Sequence, residues 1–119
     1  MATPTVDLLP AKLNLKTTRG DTVAAPILIR EDGVAADLTG RIFAVQLRRS
    51  PANTTAVDVE VDDTEAVDGI LILRLDEDVT ETLTGDYVWD LEQLIGDSVR
   101  TILTGKWTFA ADVTRETTP

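Results

Sequence analysis

The chain has 119 residues and a mass of 12.9 kDa, the size of a single domain. It contains neither cysteine nor histidine, which excludes disulfides, thiolate zinc sites, cysteine nucleophiles and catalytic pairs built on an imidazole. Eleven Lys and Arg against 21 Asp and Glu give a net charge of -10, so nucleic-acid backbones and anionic membranes would repel the chain. We therefore expect a protein without enzymatic activity, cofactor, bound metal, nucleic-acid partner or membrane partner.

The ends of the chain differ in composition from its middle. Both ends are polar and rich in threonine, and the sequence predicts an N-terminal arm over residues 1–11, one domain over residues 12–115 and a C-terminal tail over residues 116–119. The longest apolar run, residues 69–73, is far shorter than the ~20 residues that span a bilayer. The N-terminus lacks the basic start and apolar core of a signal peptide, so we expect synthesis in a reducing cytoplasm.

Strand-forming residues dominate the composition. Thr, Val and Ile make up 37 of the 119 residues, and β-branched side chains favour strands over helices. Alternation of apolar and polar residues predicts strands, in chain order, over residues 12–18, 23–30, 34–38, 41–49, 56–62, 70–75, 86–94, 99–104 and 106–113. Residues 76–84 are predicted to form a crossing loop with one helical turn, and Gly105 to form a bend or bulge. Turns about every 8–12 residues predict an all-β antiparallel sandwich of roughly seven to nine strands.

Residues 83–89 resemble the entry to strand F of immunoglobulin-like domains. In those domains a Gly-x-Tyr-x-Cys segment places a tyrosine whose hydroxyl bonds to upstream backbone, an arrangement called a tyrosine corner. Gly85 and Tyr87 match this pattern, and Trp89 stands where those domains have the cysteine. The resemblance implies a structural corner at Tyr87, with Trp89 filling the place of the disulfide.

A broader resemblance covers residues 12–115. The residues that carry it are, in order, Arg19-Gly20-Asp21-Thr22, Asp32-Gly33, Asp37-Leu38-Thr39-Gly40, Phe43, Gly85-x-Tyr87-x-Trp89-Asp90-Leu91, residues 100–107 and Asp112-Val113-Thr114-Arg115. They resemble the small immunoglobulin-like domain at the N-terminus of siphophage baseplate upper proteins, and short tail-associated proteins of other tailed phages. The resemblance implies an immunoglobulin-like sandwich and a structural virion protein of the tail or baseplate, present in several copies or as a homo-oligomer, that docks onto other virion proteins. A capsid-decorating or head-fibre-base protein is an alternative within the same class.

Four side chains are candidates for a docking interface. Ile70 and Ile72 lie on the opposite face of their strand from its leucines, so the alternation predicts that one of the two sets is exposed in the monomer. Trp107 and Phe109 share one face of the last strand, where core packing is the expected role and a share in an interface is the alternative. Unpaired strand edges offer a further route, because a neighbouring protein can add a strand to them.

Other functional hypotheses depend on where particular side chains lie. A carbohydrate-binding module would need an exposed aromatic platform, and exposure of Trp89 or Trp107 would favour it. A hydrolase of sugars would need two carboxylates about 5–10 Å apart across a cleft. We expect the acidic residues of the segment 58–68 to form a solvated face rather than a calcium site, because the alternation spreads their carboxylates along the strand. Residues 19–21 spell the Arg-Gly-Asp tripeptide of integrin ligands, and we expect an ordinary turn there.

Overall fold

The computed structural model describes residues 11–111 and the backbone of residues 5–7. These residues form ten strands, one turn of 3₁₀-helix at Ala66–Asp68 and one turn of α-helix, α1, at Glu77–Thr80. The strands are β1 (Thr5–Asp7), β2 (Ala11–Lys12), β3 (Leu15–Thr18), β4 (Val23–Glu31), β5 (Val34–Ala35), β6 (Ile42–Arg48), β7 (Val57–Asp62), β8 (Ile70–Leu75), β9 (Gly85–Ile95) and β10 (Ser98–Ala110). Neither of these helical turns is long and apolar enough to cross a membrane.

Most strands lie where the alternation of apolar and polar residues predicts them. The bounds of β8 are as predicted, those of β4 and β7 differ from the prediction by one residue at one end, and those of β6 and β9 differ by one residue at each end. The last two predicted strands are wrong as separate elements, because β10 runs through Gly105 and its register shifts instead between Thr101 and Leu103. Residues 112–115 of the predicted domain, the predicted tail and residues 1–4 and 8–10 of the predicted arm lie outside the described residues.

The strands form one curled sheet whose two halves face each other. Their order is β1-β4-β8-β7-β6-β9-β10-β2, with β5 attached to β4 and β3 attached to β10. β7 belongs to both halves, because Val57–Val59 pairs with β6 whereas Glu60–Asp62 pairs with β8. We call β1, β4, β5 and β8 the first layer, and β2, β3, β6, β9 and β10 the second layer. This is the all-β sandwich that the sequence predicts.

The expectation of purely antiparallel pairing is wrong for the N-terminal strands. β1 pairs in parallel with β4, and both β2 and β3 pair in parallel with β10. The other strand pairs are antiparallel. Alternation shows which residues share a face of a strand but contains no information about strand direction. β1 also lies within residues 1–11, the segment predicted to be an arm.

The core between the layers is aliphatic on one side, whereas its other side combines aromatic and aliphatic side chains. The first layer contributes fully buried side chains such as Ile27, Leu71 and Leu73, and burial of each stabilises the fold by about 1.5–3 kcal/mol. The second layer carries all five aromatic residues of the chain, namely Phe43, Tyr87, Trp89, Trp107 and Phe109. Four of the five are buried, and Phe43 packs partly buried against the same core.

Candidate docking surface

The N-terminal strands β1, β2 and β3 pair with parts of β4 and β10. β1 lies along β4, and β2 and β3 lie along β10. β1 pairs only with Leu28–Arg30 of β4, and β2 and β3 pair only with residues 103–104 and 107–110 of β10. Among the described residues, the segments 23–27 of β4 and 98–102 of β10 therefore have no strand on that side and can accept an added strand. The outer faces of the two layers are the other surfaces available to a partner.

Two indole N–H groups of the second layer donate hydrogen bonds to the N-terminal segment. The Nε1 atom of Trp89 donates to the carbonyl oxygen of Leu13 at 3.0 Å, and that of Trp107 donates to Oγ1 of Thr17 at 2.9 Å. A glycine makes the first of these contacts feasible, because a Cβ atom at Gly105 would lie 1.8 Å from the Leu13 carbonyl oxygen. The glycine predicted to bend the strand instead provides space for the neighbouring backbone.

One end of the outer face of the second layer is apolar. Ile42, Leu94 and Val99 are register partners on β6, β9 and β10, so their side chains share this face. Ile42 is 63% exposed and Val99 is 64% exposed, and Leu94 is half-buried. We call these three residues the apolar row. Contiguous apolar side chains on a surface are typical of sites that contact another protein.

The other end of the same face is concave and basic. It encloses a cavity of about 660 Å³, and we call it the cationic groove. Its charged and amide side chains are Lys12, Asn14, Gln46, Arg48, Asp90 and Lys106. The groove thus contains three cations and one carboxylate in a chain whose net charge is -10.

The cations of the groove have mostly neutral partners among the described residues. Arg48 donates to a loop carbonyl and to Oε1 of Gln46 at 3.0 Å. Lys106 lies 3.8 Å from the carboxylate of Asp86, and both side chains are more than half exposed. An ion pair with that separation and exposure contributes little to stability. The positive charge of the groove is therefore available to a ligand.

Asp90 is the carboxylate of this groove and is partly buried at the centre of β9. Its carboxylate accepts no hydrogen bond from any residue that the structure describes, and burial raises its pKa above the usual value. The nearby positive charge of Arg48 lowers the pKa and so offsets part of this effect. Among the described residues, Asp90 is the one carboxylate that lines the groove, whereas the hydrolase hypothesis required two.

The outer face of the first layer carries a second apolar surface. Ile70 and Ile72 pair in register with Leu28 and Pro26, which places the four side chains side by side. Ile70 and Ile72 are half-buried, whereas the leucines of β8 are buried. The structure thereby decides between the two sets left open by the alternation. We call these four residues the isoleucine patch.

The structure places the other two interface candidates in the core. Trp107 is 0% exposed and Phe109 is 1% exposed, so the alternative that they form part of an interface is wrong. Their rings stack at a centroid distance of 5.7 Å, and Trp107 also meets Trp89 edge-on at 5.7 Å. Cohesion within this cluster explains why their shared face turns inward.

Tyr87 contacts its neighbours through its aromatic ring. It is 8% exposed, packs edge-on against Phe109 with centroids 5.6 Å apart, and lies beneath the guanidinium of Arg49 at 4.1 Å. Its hydroxyl donates no hydrogen bond within the described residues, which departs from the tyrosine corner implied by the resemblance. Trp89 fills the position of the cysteine as expected and is 3% exposed.

The Arg-Gly-Asp tripeptide forms a turn held by α1. Thr80 is fully buried, and its hydroxyl accepts from the N–H of Gly20 at 3.1 Å and donates to the carbonyl of Asp21 at 2.8 Å. Arg19 donates to the carbonyl of Glu81 at 2.8 Å. These contacts fit the expected turn between strands.

Two of the three acidic residues of β7, Asp58 and Asp62, have side-chain partners among the described residues. Asp58 accepts from Nε2 of Gln46 at 2.8 Å, and Asp62 accepts from the guanidinium of Arg74 at 2.9 Å and from Thr64. Within the described residues, no group of three or more acidic side chains is placed to hold a metal ion. The segment presents separate carboxylates along a strand.

Comparison with solved structures shows a likeness to a phage protein domain. The structure is similar to the solved N-terminal domain of phage TP901-1 ORF48, with a TM-score of 0.54 and 14% sequence identity. The match covers 92% of this chain and 98% of that chain. No protein-family model and no curated protein matches the sequence. The likeness shows a shared all-β fold.

Proposed function

We propose that this chain is a non-enzymatic structural protein of a tailed-phage particle, located in the tail or baseplate region. The observation that carries the proposal is the likeness to a phage protein domain, which extends over 92% of this chain and 98% of that domain. The sequence resemblance to baseplate upper proteins points in the same direction. Several copies would dock onto other virion proteins.

The chemistry of the surface supports a docking role over the two alternatives from other classes. A sugar-binding platform would require an exposed indole, and both Trp89 and Trp107 are buried. A hydrolytic site would require two carboxylates in one cleft, and Asp90 is the one carboxylate that lines the cationic groove among residues 11–111. The isoleucine patch and the apolar row are the surfaces that fit a protein partner.

Location in a particle can be tested by labelling. Particles from the phage or prophage that encodes this chain would be purified, probed with a gold-conjugated antibody against it, and imaged by electron microscopy. We expect gold particles at the tail or baseplate. Gold over the head would favour the capsid-decorating or head-fibre-base alternative. Purified particles that bind no antibody and do not contain the protein would contradict a virion role.

A further inference from the structure

The cationic groove brings three cations together, and among the described residues only Lys106 forms an ion pair, with Asp86 at 3.8 Å. Elsewhere in the described residues, Arg41 lies 2.8 Å from a carboxylate oxygen of Glu31, and Arg74 lies 2.9 Å from Asp62. The other cations without an ion pair among these residues are not gathered in the groove, namely Lys16, Arg19, Arg30, Arg49 and Arg100. The three cations of the groove have no carboxylate within hydrogen-bond distance among those residues. In a chain with about twice as many acidic as basic residues, this arrangement leaves the groove complementary to an external anion.

The neutral side chains of the groove add donors to the cations. The Oδ1 atom of Asn14 accepts from the backbone N–H of Lys106 at 3.0 Å, which leaves the amide NH₂ group to donate. The guanidinium of Arg48 is already oriented by two hydrogen bonds to neutral oxygens. An oriented guanidinium with ammonium and amide donors beside it matches the geometry of carboxylates.

The distribution of charge over the protein surface favours a short anionic ligand for the groove. At physiological ionic strength the screening length is about 8 Å, so a short anionic segment inside the groove responds mainly to the nearby cations. A long polyanion such as a nucleic acid would extend beyond the groove over an acidic surface and would be repelled. Charge complementarity thus favours a short acidic stretch of polypeptide.

We propose that the cationic groove binds a carboxylate-rich segment of a partner protein. The partner's place in a phage particle rests on the function proposed above, but the chemistry of the groove does not. Lys12, Arg48 and Lys106 would bind the carboxylates of the segment. Asp90 would oppose them, and so would limit the affinity.

The test measures binding of a fluorescein-labelled hexaglutamate peptide to the full chain by anisotropy at low salt. We expect the Lys12→Glu variant to lose about tenfold in affinity, since a close charge pair is replaced by a like-charge contact. Lys16→Glu is the matched control, because Lys16 is also an exposed lysine of an N-terminal edge strand but lies outside the groove. Both variants change the net charge equally, so Lys16→Glu should lose less than about twofold.

Removal of the Asp90 carboxylate should raise the affinity of the groove for the peptide. Asp90→Asn is expected to raise the affinity for hexaglutamate about threefold, because it removes the one negative charge of the groove. Equal losses for Lys12→Glu and Lys16→Glu, or no binding by the unaltered protein, would overturn the proposal. Displacement of the peptide by equimolar tripolyphosphate would assign the groove to phosphate instead.

A second copy of this chain is the other occupant to be tested. Salt-sensitive self-association in sedimentation velocity that Lys12→Glu abolishes would assign the groove to a second copy and overturn the proposal. Gold labelling of particles reports on the virion role alone, whereas hexaglutamate binding reports on the groove alone. Failure of one proposal is therefore distinguishable from failure of the other.

Discussion

The two layers of the sandwich differ in how they fill the core and in what they expose. The first layer buries aliphatic side chains such as Leu71 and Leu73, whereas the second layer buries Trp89 and Trp107. Aliphatic side chains need only to be packed, but each buried indole also needs an acceptor for its N–H group. The acceptors come from the N-terminal segment, so that segment is bound to the second layer by specific hydrogen bonds.

The outer faces differ in a corresponding way. The first layer presents the isoleucine patch, whose neighbouring cation Arg74 is paired with Asp62. The second layer presents an apolar row at one end and the cationic groove at the other, where Lys106 forms only a long, exposed ion pair with Asp86. The comparison indicates that the first layer offers an apolar contact, whereas the second layer offers a contact that depends on charge.

The largest expected effect is loss of incorporation into particles. Ile72→Asp should abolish incorporation while leaving the monomer folded, because it places a charge within the isoleucine patch without entering the core. The measurement compares the amount of variant in purified particles with its thermal unfolding in isolation. Val67→Asp, at a 60% exposed position outside both faces, is the control and should be incorporated normally. Incorporation of Ile72→Asp, or a variant monomer that does not fold, would contradict this role of the patch.

Cavities in the two layers should differ in their effect on the N-terminal segment, because only the second layer binds that segment through its indoles. Trp107→Ala should lower the free energy of unfolding by about 3–5 kcal/mol, because it creates a large cavity and removes the donor to Thr17. Leu73→Ala, in the first layer, should cost about 2–5 kcal/mol. Hydrogen exchange distinguishes them, since only Trp107→Ala should accelerate exchange in β3. Equal acceleration in both variants would remove the distinction between the layers.

Gly105→Ala should have the next largest effect. The added Cβ atom would meet the backbone carbonyl of Leu13, so the N-terminal segment must shift, at a cost of about 1–3 kcal/mol. Gly96→Ala is the control, because that glycine has a positive φ but open space around it, and it should cost about 1 kcal/mol. Chemical denaturation gives both values. A smaller loss at position 105 than at position 96 would contradict the proposed close approach.

The sequence predicts the faces of strands better than the relations between distant segments. Alternation is a local property, so it predicts where β7 and β8 lie in the chain. For β8 it does not predict which of its two faces turns inward. The parallel pairing of the N-terminal strands, the role of Gly105 and the cationic groove were not predicted. Each of these brings together residues distant in sequence: β1 and β4 pair 23 positions apart, and Asn14 and Lys106 lie 92 positions apart. No local pattern contains that information.

The two outer faces should respond to acid with opposite signs. Hydrogen bonds from Thr64 and Arg74 lower the pKa of Asp62, so its stabilising effect is present at neutral pH and is lost as the pH falls through the folded-state pKa. Burial raises the pKa of Asp90, so its charge disfavours folding at neutral pH. The folded state gains relative stability as that carboxyl takes up a proton.

Two asparagine variants separate these contributions. At pH 7 Asp62→Asn should be less stable than the unaltered protein and Asp90→Asn slightly more stable. The Asp90 difference should shrink as the pH falls from the raised folded-state pKa of Asp90 to the ordinary aspartate pKa of about 3.9, whereas the Asp62 difference should shrink below that value, as the pH falls through the lowered folded-state pKa of Asp62. Urea denaturation at pH 7, 5, 4 and 3 measures them. Differences of the same sign at pH 7 would contradict the contrast between the two faces.

The smallest expected effect tests how Tyr87 stabilises the second layer. Its ring packs against Phe109 and beneath Arg49, and its hydroxyl donates no hydrogen bond within the described residues. Tyr87→Phe keeps both ring contacts and should therefore change the free energy of unfolding by less than about 0.5 kcal/mol. Tyr87→Leu is the control, since it removes the aromatic ring and should lose the edge-on pair, worth about 0.5–1.5 kcal/mol, in addition to buried area. A loss of about 1–2 kcal/mol for Tyr87→Phe would indicate a buried hydroxyl bond and would restore the tyrosine corner that the sequence resemblance implies.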